Sequence, residues 1–271
     1  MKLTIITINY NNVIGLQKTI DSILSQTFKY HEWIVIDGGS TDGSKELILN
    51  FQHHFSYWCS EPDQGIYNAM NKGVRKATGD YLLFLNSGDV LYDNRVLEEV
   101  HQLDFKQDIL SGQMVRMDNG QLLRKYNPDI FLQLFTNTIN HQATFIRREL
   151  LVQYPYDESL RIVSDWKFWL EAIVIHKCSF EVTDLMISKQ DMTGISYSEK
   201  YRTIHQAERK KVLSEFFPPA VLKTLQDYST LRARSIIRNL SYLKECHPRL
   251  YVYVKKIVSF VSLASHKLFN D

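Results

Sequence analysis

Ile34-Val35-Ile36-Asp37-Gly38-Gly39-Ser40-Thr41-Asp42-Gly43 is an apolar run that breaks into a turn of small and acidic residues. A short apolar run bounded by turn signals reads as a buried strand. A strand that carries a carboxylate to its C-terminal end puts it where open α/β sheets gather their ligands. The pattern recurs on either side. Leu3 to Ile8 runs into Asn9-Tyr10-Asn11-Asn12, and Tyr81 to Leu85 runs into Asn86-Ser87-Gly88-Asp89. Between these strands the apolar spacing is helical. Val13, Leu16, Ile20, Ile23 and Leu24 share a face over Val13 to Leu24, Ser44 to Phe51 reads as a second helix, and Ile66, Ala69, Met70, Gly73 and Val74 form a stripe within Gln64 to Ala77. With strands at Trp33 to Ile36 and Tyr57 to Ser60, this β-α-β-α-β-α-β order predicts an α/β fold around a mostly parallel sheet, and one site built from three strand-end loops.

Beyond Asp89 the pattern predicts a helix near Val96 to Leu103, then strands near Ile109 to Val115 and Gln121 to Tyr126 joined through an Asn119-Gly120 hairpin turn. His141 to Ile146 reads as a strand, and Asp165 to Ile175 as a helix bearing a carboxylate at its start. From Lys200 the chain reads as helical, broken by Pro218-Pro219 and by Pro248. The expected organisation is a main domain over residues 1–199, with halves 1–92 and 93–199, and a helical C-terminal extension over 200–271.

The chain has 271 residues, 44% of them hydrophobic, which is ample for one large core. Cys59, Cys178 and Cys246 lie far apart with no CxxC pair, so neither a disulfide framework nor a zinc site is expected, and a reducing cytoplasm fits. The first residues enter strand 1 directly, with no export signal. No apolar run approaches the roughly 20 residues of a membrane span. Charge is unevenly shared: residues 200–271 carry 14 Lys plus Arg against 5 Asp plus Glu, so of the total of +2 this segment holds +9 and residues 1–199 hold −7. A basic tail of this kind seeks an anionic surface. Within it, Leu250 to Val261 mixes basic, aromatic and aliphatic residues. That mixture suits a helix in the interface of a membrane, or one packed on the main domain or on a second subunit to form a homodimer. A dinucleotide-dependent oxidoreductase would need a GxGxxG turn after strand 1, and Asn9-Tyr10-Asn11-Asn12 has no glycine. No module that reads nucleic-acid bases is present.

Taken in order, five motifs resemble those of the family-2 glycosyltransferases with the GT-A fold. The opening strand and loop look like Thr4-Ile5-Ile6-Thr7-Ile8-Asn9-Tyr10-Asn11. The Asp-Asp-Gly-Ser-Thr-Asp turn looks like Asp37 to Asp42, with Gly38 where a second acid is usual. Ala69-Met70-Asn71-Lys72-Gly73 resembles the helix written Ala-Arg-Asn-x-Gly, with Met70 in place of the basic residue. Asn86-Ser87-Gly88-Asp89 resembles the metal-binding loop, and Ser164-Asp165-Trp166-Lys167-Phe168-Trp169 the acceptor-side acidic motif. The resemblance covers roughly residues 1–190.

This resemblance implies an inverting transfer of a sugar from a nucleotide-diphosphate donor, a UDP-sugar favoured. The acceptor would be a saccharide or lipid-linked intermediate of surface-polysaccharide synthesis, with the enzyme cytoplasmic or at the inner face of the membrane. It implies a nucleobase or ribose contact for Asp37, in a pocket with Thr7, Asn9 and Tyr10. Asp63, Asn71, Asn86 and His141 would be further donor-side residues. It implies that Asp89 ligates a divalent cation, Mn or Mg, and that Asp165 is the general base. Each residue also has a plainer reading. Asp37 and Asp89 suit turns and helix caps, Asp165 suits the first turn of a helix, and His141 suits a hydrogen-bonded loop. The losses at Gly38, Met70, Asn86 and Gly88 support an alternative, a nucleotide-sugar-binding or scaffold protein without catalysis.

Overall fold

A computed structural model describes residues 1–117, 130–191 and 199–233, with isolated positions between 244 and 256. The expected strand over Gln121 to Tyr126, its Asn119-Gly120 turn and most of Leu250 to Val261 lie outside the described residues. In chain order the elements are β1 (Leu3–Asn9), α1 (Val13–Leu24), β2 (His31–Asp37), α2 (Ser44–Phe51), β3 (Tyr57–Ser60), α3 (Ile66–Lys76), β4 (Tyr81–Phe84), β5 (Val90–Leu91) and α4 (Val96–Leu103). They continue with β6 (Ile109–Arg116), α5 (Ile130–Thr136), β7 (Thr144–Arg147), α6 (Arg148–Gln153), α7 (Ser164–Trp169), β8 (Phe180–Gln190), α8 (Glu199–Phe216) and α9 (Pro219–Ala233).

Among the described residues, eight strands form one sheet in the order β3-β2-β1-β4-β7-β6-β8-β5. The first four are parallel, in a register that sets Asn9 beside Asp37 and Asp37 beside Ser60. β7 then pairs antiparallel with both β4 and β6, β6 and β8 are parallel, and β5 closes the edge antiparallel to β8. Every residue of β1 is buried, as a strand covered on both faces requires. α3 seats directly on it: a Cβ at Gly73 would lie 2.5 Å from Ile6 Cγ2. On one face of the sheet Leu16, Ile20 and Ile23 of α1 join Leu3, Ile5, Val35, Leu83 and Phe145 in the main apolar cluster.

Two expectations need correction. His141 does not begin a strand: His141–Ala143 is a 3₁₀ turn, because the Asn140 carbonyl accepts from Ala143 N (3.1 Å) and Thr144 Oγ1 (2.8 Å), and the strand starts only at Thr144. The helix expected to run to Ile175 is α-helical only to Trp169; Leu170–Ile175 widens to a π-helical turn, with His176 N donating to Glu171 O. The chain forms two compact units, Met1–Val212 and Leu213–Asp271. The first extends past the expected boundary at residue 200, because Glu208 accepts from Arg161 N and Ile162 N and Arg209 donates to carbonyls at the end of α5. α8 ends before Pro218-Pro219, as expected. Among the described residues no helix is long and apolar enough to cross a membrane.

Glu32 ties the opposite edge of the sheet together. Its carboxylate accepts from Thr4 Oγ1 (2.6 Å), Thr78 N (2.7 Å) and Thr78 Oγ1 (2.8 Å). Burial raises its pKa, but these hydrogen bonds outweigh burial and hold it below the ordinary 4.5. A depressed folded-state pKa adds stability that is present above the unfolded value and lost as pH falls through the folded one. Glu32→Gln is therefore expected to lower unfolding free energy by about 1–3 kcal/mol at neutral pH, with the gap narrowing in acid. Urea denaturation of both proteins at pH 7 and pH 4 checks this, and equal stability at pH 7 contradicts it.

Candidate active site

The carboxyl ends of β1, β2 and β4 bring the three loops side by side. Ser40 Oγ accepts from Asn11 N (2.7 Å), Asn11 Oδ1 from Thr41 N (2.9 Å) and Asp42 Oδ2 from Val13 N (2.8 Å), so the first two loops are laced together. Asn12 caps α1 through Gly15 N and donates to Ser87 O (3.1 Å), which joins the third loop.

Asp37 is fully buried, and its carboxylate faces inward. Oδ1 accepts from Asn9 Nδ2 (2.7 Å) and Ser40 Oγ (2.6 Å), and Oδ2 from Ser60 Oγ (2.7 Å) and Ser40 N (3.0 Å). Burial raises its pKa, and the hydrogen bonds from Ser40, Ser60 and Asn9 more than reverse this, so the group is a carboxylate held below its usual range. The carboxylate expected to meet the nucleobase or ribose is thus braced by four internal donors. Thr7 is turned away as well, its hydroxyl accepting from Trp33 Nε1 (3.1 Å) within the core. Asn71 is spent on Tyr156 N, Tyr156 O and Glu158 Oε1. Tyr10, by contrast, is 65% exposed at the rim. Asp63 lies over the Asp37 turn, with Oδ1 accepting from Gly65 N (2.9 Å).

At the third loop, Asp89 is buried and its Oδ1 accepts from Asp191 N (3.2 Å). Burial pushes its carboxyl up to about 7. Asp89, the expected metal ligand, thus also ties residue 191, just past β8, to the loop. The carboxylate beside the loop is that of Asp191: a Cβ at Gly88 would lie 3.5 Å from its Oδ2. Asn86 Oδ1 is buried and has no hydrogen-bond partner among the described residues. Among the described residues no group of three or more His, Cys, Asp or Glu side chains is arranged to hold a metal.

Asn86 Nδ2 lies 3.3 Å from His141 Nε2, and His141 Nδ1 lies 3.1 Å from Asp165 Oδ2. A proton on Nδ1 satisfies both contacts, the imidazole donating to Asp165 and accepting from Asn86. Tyr67 OH completes the group, 2.9 Å from Asp165 Oδ1 and 2.7 Å from Ile162 O. Burial raises the Asp165 pKa, while the hydrogen bonds from His141 and the Tyr67 hydroxyl bring it below the ordinary value. Asp165 therefore stays ionised at neutral pH. It borders a cavity of about 180 Å³ with His141, Trp166, Gln190, His205 and Arg209. The Arg209 guanidinium stacks over the Trp166 ring at 4.0 Å.

The sequence reading named Asn86, His141 and Asp165 separately, in different roles, and the structure places them in one hydrogen-bonded group. It missed Tyr67, Asp191, His205 and Arg209. Tyr67 follows Ile66 on a recognised helix and was open to notice; His205 and Arg209 sit in the segment read as tail, and no spacing ties them to Asp165.

A mixed sheet with a parallel half, an acidic carboxyl edge and a half-buried carboxylate facing a separate cavity fits a GT-A glycosyltransferase fold. Solved structures agree at the level of fold. TarS 1-349 of S. aureus in complex with UDP-GlcNAc superposes with TM-score 0.62 at 18% identity, covering 83% of this chain and 70% of that one. The mannosyltransferase PcManGT of Pyrobaculum calidifontis, in complex with GDP-Man and Mn²⁺, gives 0.60 at 15% identity over 96% and 80%. Residues 4–157 match the family described as Glycosyl transferase family 2. An uncharacterized glycosyltransferase of Mycobacterium tuberculosis is 32% identical over 200 residues, 71% of this chain and 76% of its own. A PGL/p-HBAD biosynthesis glycosyltransferase of the same species is 35% identical over 161 residues, 56% and 62% of the two chains. The chain belongs to glycosyltransferase family 2 and is a glycosyltransferase.

Because Asp37 accepts four hydrogen bonds, its loss should unfold the site rather than trim one ligand contact. Asp37→Ala is expected to cost at least about 2–3 kcal/mol of stability, read as a lowered denaturant midpoint. An unchanged midpoint combined with lost nucleotide binding would instead make Asp37 a direct reader.

Proposed function

We propose that the protein is an inverting glycosyltransferase that takes a sugar from a nucleotide-diphosphate donor, a UDP-sugar favoured, and passes it to a hydroxyl of a saccharide or lipid-linked acceptor in surface-polysaccharide synthesis. The single observation that carries this reading is Asp165: an ionised, half-buried carboxylate, oriented by His141 and Tyr67, at the wall of a cavity. In the proposed reaction Asp165 takes the proton of the acceptor hydroxyl as its oxygen bonds to the anomeric carbon. The bond from that carbon to the diphosphate breaks, and the electron pair leaves with the phosphate. One displacement with one base inverts the anomeric configuration. His141 and Tyr67 hold the carboxylate in place, and Arg209 on Trp166 shapes the acceptor side.

The nucleobase would lie against Tyr10 at the ends of β1 and β2, with Asn9 and Asp37 bracing the pocket from behind. The diphosphate would meet the Asn86–Asp89 loop. The donor set there is oxygen-rich but sparse, which fits a Mg²⁺ or Mn²⁺ ion that takes much of its coordination from substrate phosphate and water. Asp89 and Asp191, with the buried Asn86 Oδ1 beside them, are the groups that would hold such an ion. When bound, it screens the charge that grows on the leaving diphosphate. The basic C-terminal segment suits an anionic membrane surface where lipid-linked acceptors reside.

Asp165→Asn should retain nucleotide binding and lose about 10²- to 10⁴-fold in kcat, and wild-type turnover would refute the assignment. Tyr67→Phe removes one hydrogen bond to a charged group, so a loss of roughly 10- to 100-fold in kcat is expected, with the acid limb of the pH–rate profile moving to higher pH. Product analysis by NMR with a panel of UDP-sugars tests inversion directly; retention of configuration would contradict the mechanism.

A further inference from the structure

Gly38 follows the inward-facing Asp37, and the space where its side chain would stand is already filled. A Cβ at Gly38 would lie 2.5 Å from Asp63 Oδ2, 3.2 Å from Asp63 Cγ and 3.2 Å from Tyr10 Cδ2. The segment that brings Asp63 there is fixed. Glu61 N donates to Asp37 O (3.0 Å), and the chain then crosses so close over the turn that a Cβ at Gly39, where φ is +79°, would meet Pro62 N at 3.0 Å. A carboxylate from the end of β3 thus occupies the position that an acid at residue 38 would take. It lies beside the exposed ring of Tyr10, a surface on which a planar base can stack.

We propose that Asp63 is the nucleobase-reading residue, its Oδ2 accepting a hydrogen bond from an imino N–H of the donor's base in the space left by Gly38. This deepens the proposed glycosyltransferase reading and rests on it. The chemistry selects the base. A carboxylate only accepts hydrogen bonds, and uracil presents N3–H where cytosine N3 is itself an acceptor. Guanine presents two adjacent donors, N1–H and the 2-amino group, which a carboxylate matches best with both oxygens. Asp63 Oδ1 is held by Gly65 N (2.9 Å), and Oδ2 makes no hydrogen bond among the described residues. One free oxygen suits the single imino N–H of uracil or thymine better than the paired donors of guanine.

The test is calorimetric titration of the full chain with UDP, GDP, CDP and N3-methyl-UDP in the presence of Mg²⁺, for the wild type, Asp63→Ala and the exchange variant Asp63→Ala/Gly38→Asp. The wild type is expected to prefer UDP over CDP and over N3-methyl-UDP by about 10- to 100-fold, the scale of one charge-assisted hydrogen bond. Asp63→Ala should bring the three within about threefold, and the exchange variant should restore the preference. Circular dichroism confirms that each variant is folded. A folded Asp63→Ala protein that keeps the wild-type UDP-to-CDP ratio overturns the assignment of Asp63. Failure of the wild type to bind any of the four nucleotides overturns the sugar-nucleotide reading itself, a result distinguishable from the first.

Discussion

The internal neutralisation of Asp37 is the constraint on which the rest of the site depends. A carboxylate with no solvent exposure is costly unless its lone pairs are filled. Here donors from β1, from the following turn and from β3 fill them. Three parallel strand ends are thereby locked in one register by a single side chain. Parallel strands have no hairpin to align their ends, so a polar clamp at the carboxyl edge does work that hydrophobic packing leaves undone. Because the clamp uses up Asp37, recognition at that corner falls to the groups that overlie it.

The same arrangement recurs at the third loop. Asp89 is buried and bound to the backbone of Asp191, while the side chain of Asp191 stands beside Gly88. In both places an acid close to the loop backbone is turned inward as an anchor, and a glycine next to it leaves room for a carboxylate from a distant segment. The charge of each corner is kept while the segment that supplies it changes. This answers the argument that Gly38 and Gly88 mark a protein stripped of its chemistry. The acidic corners persist, and Asp165 keeps two oriented partners in His141 and Tyr67.

The first half of the fold was legible in the sequence because its signals are local. Leu3 to Ile8 is apolar apart from Thr4 and Thr7, Ile34 to Ile36 and Tyr81 to Leu85 are uninterrupted apolar runs, and α1 and α3 repeat apolar residues at helical spacing. β8 was not legible: Phe180–Gln190 mixes exposed Glu181 and Asp184 with buried Ile187 and Ser188, and only its pairing with β6 and β5 makes it a strand. β5 is two residues long and has no pattern to read. His141 followed the same logic, since the carbonyl of Asn140 bends His141–Ala143 into a turn ahead of the strand. For the site, residue types and motif order pointed to the right loops. Which oxygen faces inward could not be read, because the deciding donors on Asn9 and Ser60 lie far from Asp37 in sequence. The contribution of α8 was hidden for the same reason, as Glu208 and Arg209 reach residues 161–162 and the Trp166 ring only through the folded chain.

A crystal structure of the protein with UDP and Mn²⁺ tests the central claim most directly, namely that the strand ends are clamped from within and read from above. The account predicts the uracil ring against Tyr10, the diphosphate at the Asn86–Asp89 loop, and all four hydrogen bonds to Asp37 intact. A complex in which Asp37 abandons Ser40 and Ser60 to contact the nucleotide, or in which the diphosphate lies away from that loop, would contradict it.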